Sequence, residues 1–356
     1  MPHNRYYQGP LSDHFDGLRF FNPGQPNTDK PFSDLLRWRW ESRHLPPWRD
    51  VPPTHVATPI ARSQHPIITM IGHSSVLIQI AGLNLLVDPV WSERVSPLSW
   101  LGPRRWNSPG IDFNALPPID YVLITHNHYD HLDLTTLARL QIAHAPQVVT
   151  PLGNDAIIRK RVPDLHIHTL DWWDSIQLTN EPTKISVVPA YHWSARGLRD
   201  RRMALWGGFH LRTPQGSLYI AGDTAYGNGS IFHAIAQRCG APDLAILPIG
   251  AYAPRWFMHN QHIDAVEAVQ IMCDVGRTPS LGSALGHLPP DRRSRRRTTY
   301  PLSSSPKSQR HSCNPLHCDD TRSKKSVESL RTVTMQLIGI MLPNVGMQIL
   351  GLILIS

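Results

Sequence analysis

The run His126-Asn127-His128-Tyr129-Asp130-His131 sets three imidazoles and a carboxylate within one short stretch of chain. These donors suit a divalent metal ion. On an extended or turning backbone His126 and His128 point to the same side, so two neutral imidazoles share one ion, while Asp130 and His131 turn toward a second. Imidazole and carboxylate together make zinc the expected occupant, although iron and manganese accept the same set. The chemistry such a site supports is metal-assisted hydrolysis.

Two later segments carry the same kind of residue at the same kind of place. Pro189-Ala190-Tyr191-His192-Trp193 sets a histidine at the end of an apolar run, and Tyr219-Ile220-Ala221-Gly222-Asp223-Thr224 sets an aspartate at the end of another. Histidines beside an aspartate are elsewhere often no more than solvated loop residues. Here each donor arrives from its own strand end, where loops build sites.

The elements that must position them follow from the patterning. Tyr121 to Thr125 reads as a buried strand that delivers the histidine run to a sheet edge. Further strands are expected at Ile67 to Ile71, Val76 to Ile80, Leu83 to Val87, Val148 to Thr150, Ile185 to Pro189, Phe209 to Leu211, Leu218 to Ala221 and Leu244 to Ile249. Helical patterns fall at Phe32 to Arg43, Leu132 to Leu140, Asp155 to Arg161, Ile231 to Ala236 and Ala265 to Val275. Alternating strands and helices imply an α/β architecture of two sheets sandwiched between helices. Residues 1–66, rich in Pro, Trp and Arg, read as an N-terminal extension packed on the core, with Leu35, Leu36, Trp38 and Trp40 supplying apolar surface in its helical stretch. Residues 67–276 form the domain, and 277–356 a tail of different texture.

The chain has 356 residues, 41% of them hydrophobic, and a net charge of +8. Residues 1–276 carry 23 Lys and Arg against 23 Asp and Glu, residues 277–331 carry 12 against 4, and 332–356 carry none. The positive charge therefore belongs to the tail, and no nucleic-acid partner is expected for the balanced domain. Four scattered cysteines make no disulfide framework, and Met1 to Pro10 has no apolar core of a secretory signal, so the expected location is cytoplasmic. Cys313 and Cys318 give a weak metal signal. Disorder is expected for the Arg- and Ser-rich stretch. The apolar segment from Thr332, interrupted by Pro343-Asn344, raises a membrane-associated alternative.

In this order the histidine run, His192 and Gly222-Asp223-Thr224 resemble the metallo-β-lactamase superfamily. Asp88-Pro89-Val90-Trp91-Ser92-Glu93-Arg94, His192-Trp193-Ser194-Ala195-Arg196-Gly197, Leu205-Trp206-Gly207-Gly208-Phe209 and Gln261-His262 resemble the branch containing N-acyl-phosphatidylethanolamine-hydrolysing phospholipase D. The resemblance spans roughly Phe20 to Gly276 and implies the αββα metallo-β-lactamase sandwich. It implies His126, His128 and His192 as ligands of a first zinc, Asp130 and His131 as ligands of a second, and Asp223 bridging both. Catalysis would fall to Asp130 and Asp223 through a metal-activated hydroxide, with phosphodiester hydrolysis of lipid-like substrates and a peripheral membrane contact as the consequence. Gln261 and His262 resemble a substrate-contacting pair, with a role at a helix start as the alternative.

The family supplies one more histidine to the second metal, in a His-Trp-Gly-Thr-Phe motif that this chain lacks. Arg277 to Asp291 stands in its place and reads poorly as a buried strand. With permitted codons, the segment read one base later spells the missing motif, so a change of reading frame near Gly276 is expected, and sequencing the coding DNA decides it. Without that ligand the second site should be weakened, since Leu288-Pro289-Pro290 gives no reason for His287 to substitute. A weakly active or inactive metal-binding homologue is therefore one alternative, and hydrolysis of another ester or a lactone is a second.

Overall fold

The structure, a computed structural model, describes residues 3–26, 28–42, 57–98, 100–105, 107–178, 182–276, 280–283 and 352–353. Two sheets face each other. The first runs in spatial order β1 (Ile67–Gly72), β2 (Ser75–Ile80), β3 (Leu83–Val87), β4 (Tyr121–Leu123), β5 (Gln147–Pro151) and β6 (Ile167–Leu170). The second contains β7 (Ser175–Gln177), β8 (Lys184–Val188), β9 (Gly208–Thr213), β10 (Gly216–Ile220), β11 (Leu244–Pro248), β12 (Ser280–Ser283) and β13 (Leu352–Ile353), again in neighbouring order.

Alternation along the strands builds three apolar layers. Val76, Ile78, Leu85 and Leu123 meet Ile185, Phe209, Leu218 and Ile246 between the sheets. The opposite faces of the first sheet, including Leu77, Leu86 and Val122, are covered by α2 (Leu134–His144) through Leu137 and Leu140 and by α3 (Asp155–Ile158) through Ile157 and Ile158. On the second sheet Tyr219, Ala245 and Leu247 lie under Phe232 and Ile235 of α4 (Ser230–Cys239) and Ile271 and Met272 of α6 (Ala265–Asp274). This is the αββα sandwich. Strands buried on both faces carry continuous apolar runs, which is why β2, β3 and β11 were legible as runs.

Several elements differ from expectation. β6 and β7 lie at sheet edges and carry mixed polarity, Ile167-His168-Thr169-Leu170 and Ser175-Ile176-Gln177, so they lack the apolar run of a central strand. The helix after the histidine run starts at Leu134 because the Asp133 carboxylate accepts hydrogen bonds from the backbone N–H groups of Thr135 and Thr136. A short α5 (Arg255–Met258) had no sequence signal. The reading of Arg277 to Asp291 as unfit for a buried strand needs correction at Ser280 to Ser283: β12 pairs in parallel with β11, and Leu281 enters the inter-sheet core at 4% exposure. Gly282 suits this position, since a Cβ there would lie 2.2 Å from Ile249 Cδ1. His287, Cys313, Cys318 and the tail from residue 284 to 351 lie outside the described residues.

The N-terminal residues contact the domain in two ways. Phe15 and Phe20 enter the inter-sheet core, and Asn4 Nδ2 donates to the carbonyl of Met203. By contrast α1 (Phe32–Ser42) leaves Phe32, Leu35, Leu36 and Trp40 exposed, so the apolar surface expected of Leu35, Leu36 and Trp40 faces outward. The four exposed residues fall on one face of the helix, whereas Trp38 lies off that face and stacks on Phe257 of α5, with ring centroids 5.5 Å apart. No described helix is long and apolar enough to cross a membrane.

Candidate metal centre

The site lies at one edge of the sandwich, where β3 and β4 end in parallel beside the end of β10. β4 releases the chain into the loop carrying His126 to His131. Arg196 clamps that loop: its guanidinium donates to the carbonyls of Asn127 (3.0 Å) and Leu132 (2.8 Å) and stacks over Tyr129 at 3.9 Å. The second sheet delivers His192 after β8 and Asp223 after β10. Gly222 has a φ of 63°, and a Cβ on it would approach Thr125 Cβ to 2.8 Å, so glycine is required where the ends of β4 and β10 meet.

Three ring nitrogens converge. His126 Nε2 lies 2.9 Å and His192 Nε2 3.3 Å from His128 Nδ1. Around a tetrahedral zinc with nitrogen ligands at ~2.05 Å, neighbouring nitrogens stand about 3.3 Å apart. Two of the rings are oriented from behind, His126 Nδ1 donating to Thr125 Oγ1 (2.9 Å) and His192 Nδ1 to the Gln261 carbonyl (3.0 Å), which leaves each Nε2 free as a donor to an ion. Burial, aided by mutual repulsion, holds His126 well below the usual histidine range, and burial is likewise the main cause that holds His192 there. Burial pushes His128 down to about 4. All three are therefore kept neutral, the form that binds metal.

A second group stands beside it. His131 Nε2 is buried without a hydrogen-bond partner among the described residues, although Asp223 Oδ2 lies 3.3 Å and Asp130 Oδ2 4.0 Å away. Asp223 Oδ2 is also 3.8 Å from His192 Nε2, so its carboxylate sits between the two groups. Burial alone would lower His131, but Asp223, Asp88 and Asp130 together raise it well above the usual range. Asp130 is held well below the carboxylate range, burial being outweighed by His131 and by the hydrogen bond from His73; Asp223 is held low chiefly by His131 against its own burial. Three carboxylates around one imidazole make a cage that calls for positive charge. The donor set and the orphaned Nε2 thus fit metal ions at both groups.

Two residues of this centre carried no metal-site signal in the sequence reading. Asp88, 1% exposed, accepts from His131 Nδ1 (2.7 Å), Thr125 N–H (2.8 Å) and Thr125 Oγ1 (2.7 Å), fixing the tautomer of His131 and the end of β4. Its place directly after β3 was the available signal. His73, in the turn between β1 and β2, sets Nε2 3.1 Å from Asp130 Oδ2. A lone histidine in a Gly-His-Ser turn offers nothing to mark it.

Gln261 and His262 are separated in role. The Gln261 side chain is buried, accepting from Trp193 Nε1 (2.8 Å) and donating to Met258 Sδ, so it braces the loop that holds His192. His262 Nδ1 lies 3.8 Å from Asp223 Oδ2 and faces the centre. Neither starts a helix: Asp264 caps α6, in a reciprocal capping box with Glu267.

Residues 83–282, more than half of the chain, match the family described as Beta-lactamase superfamily domain. The chain is 34% identical over 229 residues to N-acyl-phosphatidylethanolamine-hydrolyzing phospholipase D 1 of Caenorhabditis elegans, covering 62% of this chain and 64% of that one. It is 37% identical over 245 residues to an uncharacterized protein of Mycobacterium tuberculosis, covering 68% and 64%. It thus spans less than two thirds of the length of either relative. Among solved structures, an isothiocyanate hydrolase from Delia radicum gut bacteria is similar at 22% identity and a TM-score of 0.48, over 61% of this chain and 84% of that one. The match to the family over β3 to β12, together with the two-sheet sandwich and its edge of histidines and aspartates, places the chain in the metallo-β-lactamase superfamily of metal-dependent hydrolases, in likeness to its N-acyl-phosphatidylethanolamine-hydrolysing branch.

Proposed function

We propose that the chain is a zinc-dependent phosphodiesterase of phospholipase D type, acting on N-acyl-phosphatidylethanolamine-like lipids. The observation that carries the metal chemistry is the convergence of His126, His128 and His192 beside Asp130, His131 and Asp223 at one sheet edge. The substrate class rests on the likeness to the nematode phospholipase. Two zinc ions held by these groups would supply Lewis acidity, acidifying a water and offsetting charge on the phosphodiester.

The chain's own residues divide the remaining work. Asp223 stands between the two groups and ties their positions together. Asp130 keeps 30% of its side chain exposed while the imidazole beside it is fully buried, so it faces the open side of the centre. Held ionised by His131 and His73, it accepts a hydrogen bond from the attacking water and orients it; so acidic a carboxylate is poorly suited to retain the proton. His262, kept neutral by burial, which outweighs the pull of Asp223 and Asp130, is placed to donate to a phosphoryl oxygen. In the reaction water adds across the phosphodiester and the P–O bond to the head-group alcohol breaks.

The test is a panel of N-acyl-phosphatidylethanolamine, unacylated phosphatidylethanolamine, a lactone and a carboxylic ester, given to zinc-loaded protein. Release of phosphatidate is expected. Turnover of the lactone or ester with an intact phosphodiester would sink the reading in favour of another hydrolase specificity. The weakly active alternative is favoured by one observation, that the family's last histidine motif is absent from this sequence. Zinc content near one ion per chain with negligible turnover would support it.

A further inference from the structure

We infer that His73 is a protein ligand of the second metal ion, completing with Asp130, His131 and Asp223 the site that lacks the family's last histidine; this rests on the two-metal reading above. One ligand atom from each of His73, Asp130 and His131 lies within 4.8 Å of the others, and Asp130 Oδ2 is 3.1 Å from His73 Nε2 and 4.0 Å from His131 Nε2. The 3.1 Å between His73 Nε2 and Asp130 Oδ2 is the spacing of two ligands about 2.0–2.1 Å from a shared zinc. The ring is largely buried, at 12% side-chain exposure, and stands edge-on to His131 with centroids 5.5 Å apart.

The backbone is bent to bring it there. The pairing of β1 with β2 is irregular between Met70 and Gly72, and His73 has a φ of 47°, in the left-handed region that most side chains avoid and histidine enters more readily than most. A turn that only needed to reverse the chain would favour glycine or asparagine at this φ. The start of β2 pairs with the end of β3, Val76 opposite Val87, so the same turn lies against the Asp88 that holds His131. Ser74 Oγ reinforces the approach by donating to the backbone carbonyl of Asp130 at 3.3 Å. A buried imidazole aimed at the Asp130 carboxylate, beside the orphaned Nε2 of His131, is where a fourth donor belongs.

The experiment titrates full-length apoprotein with Co2+ and follows both affinity and the visible absorption of each equivalent. His73→Asn tolerates the left-handed backbone and removes the ring; His73→Gly does the same and leaves room for free imidazole. Expected in both variants are an unaltered first equivalent, a second equivalent loosened at least about tenfold, and a changed absorption band for that second ion, restored in His73→Gly by imidazole. A band that does not move, whether or not affinity falls, overturns the inference, because His73 would then only hydrogen-bond Asp130. Asp130→Asn is the control on the site itself: if it still binds two ions with wild-type affinity, the placing of the second ion at Asp130 fails and His73 falls with it. If Asp130→Asn loses the second ion while the His73 variants keep an unmoved band, the His73 inference alone fails.

Discussion

Replacing Asp88 by asparagine exchanges one buried oxygen for an amide nitrogen and tests how the second metal group is held. The carboxylate accepts three hydrogen bonds, one to Oδ1 from Thr125 N–H and two to Oδ2, from Thr125 Oγ1 and His131 Nδ1. If asparagine keeps its oxygen on Thr125 N–H, its NH2 faces His131 and must donate to Nδ1. The proton on the imidazole then moves to Nε2, the nitrogen that faces Asp223 and Asp130. Losing such an orienting partner weakens metal affinity about 10–100-fold, or about 1.4–2.8 kcal/mol. If the amide flips instead, its NH2 meets the buried Thr125 N–H and leaves that donor unpaired, costing about 1–3 kcal/mol of folding stability. Chelator competition for the second zinc equivalent and urea denaturation of the apoprotein read the two outcomes separately. The first equivalent should keep its affinity, since Asp88 reaches His126 only through Thr125. An Asp88→Asn protein with wild-type affinity for the second zinc and an unchanged denaturation midpoint would refute the reasoning.

Other consequences are as direct. His14 donates to Asp171 (2.8 Å) and Asp13 (2.6 Å); burial opposes its charge, but these carboxylates raise its pKa overall. A raised histidine contributes its stability below the unfolded-state value and loses it as pH climbs through the folded one, so the gap in urea midpoint between wild type and His14→Gln should be wider at pH 5.5 than at pH 8.5. Gly222→Ala should destabilise the fold and lower zinc content together, measured by thermal melting and metal analysis, because a Cβ would lie 2.8 Å from Thr125 Cβ beside Asp223. A chain with the reading frame restored after Gly276 should bind its second zinc more tightly than this one in the same chelator assay; equal affinity would remove the reason to invoke the missing histidine.

The sequence by itself determined the chemistry and most of the core. His126, His128, Asp130, His131, His192 and Asp223 were legible because each follows an apolar run that ends abruptly, and strands buried on both faces write their burial directly into composition. Edge strands β6 and β7 were not legible, since half-exposed segments mix polar and apolar residues. β12 was hidden for another reason: its hydrogen-bond partners come from β11, and a stretch of Ser, Leu and Gly shows no strand pattern until that neighbour is present. The resemblance implied which donors share an ion, but the tertiary structure alone brought Asp88 and His73 to them. The approach of Asp223 to both His131 and His192, the support of His131 by Asp88 and the delivery of His73 to Asp130 join residues 31 to 92 positions apart. No local pattern encodes such distances, because they arise from two sheets closing on a common core.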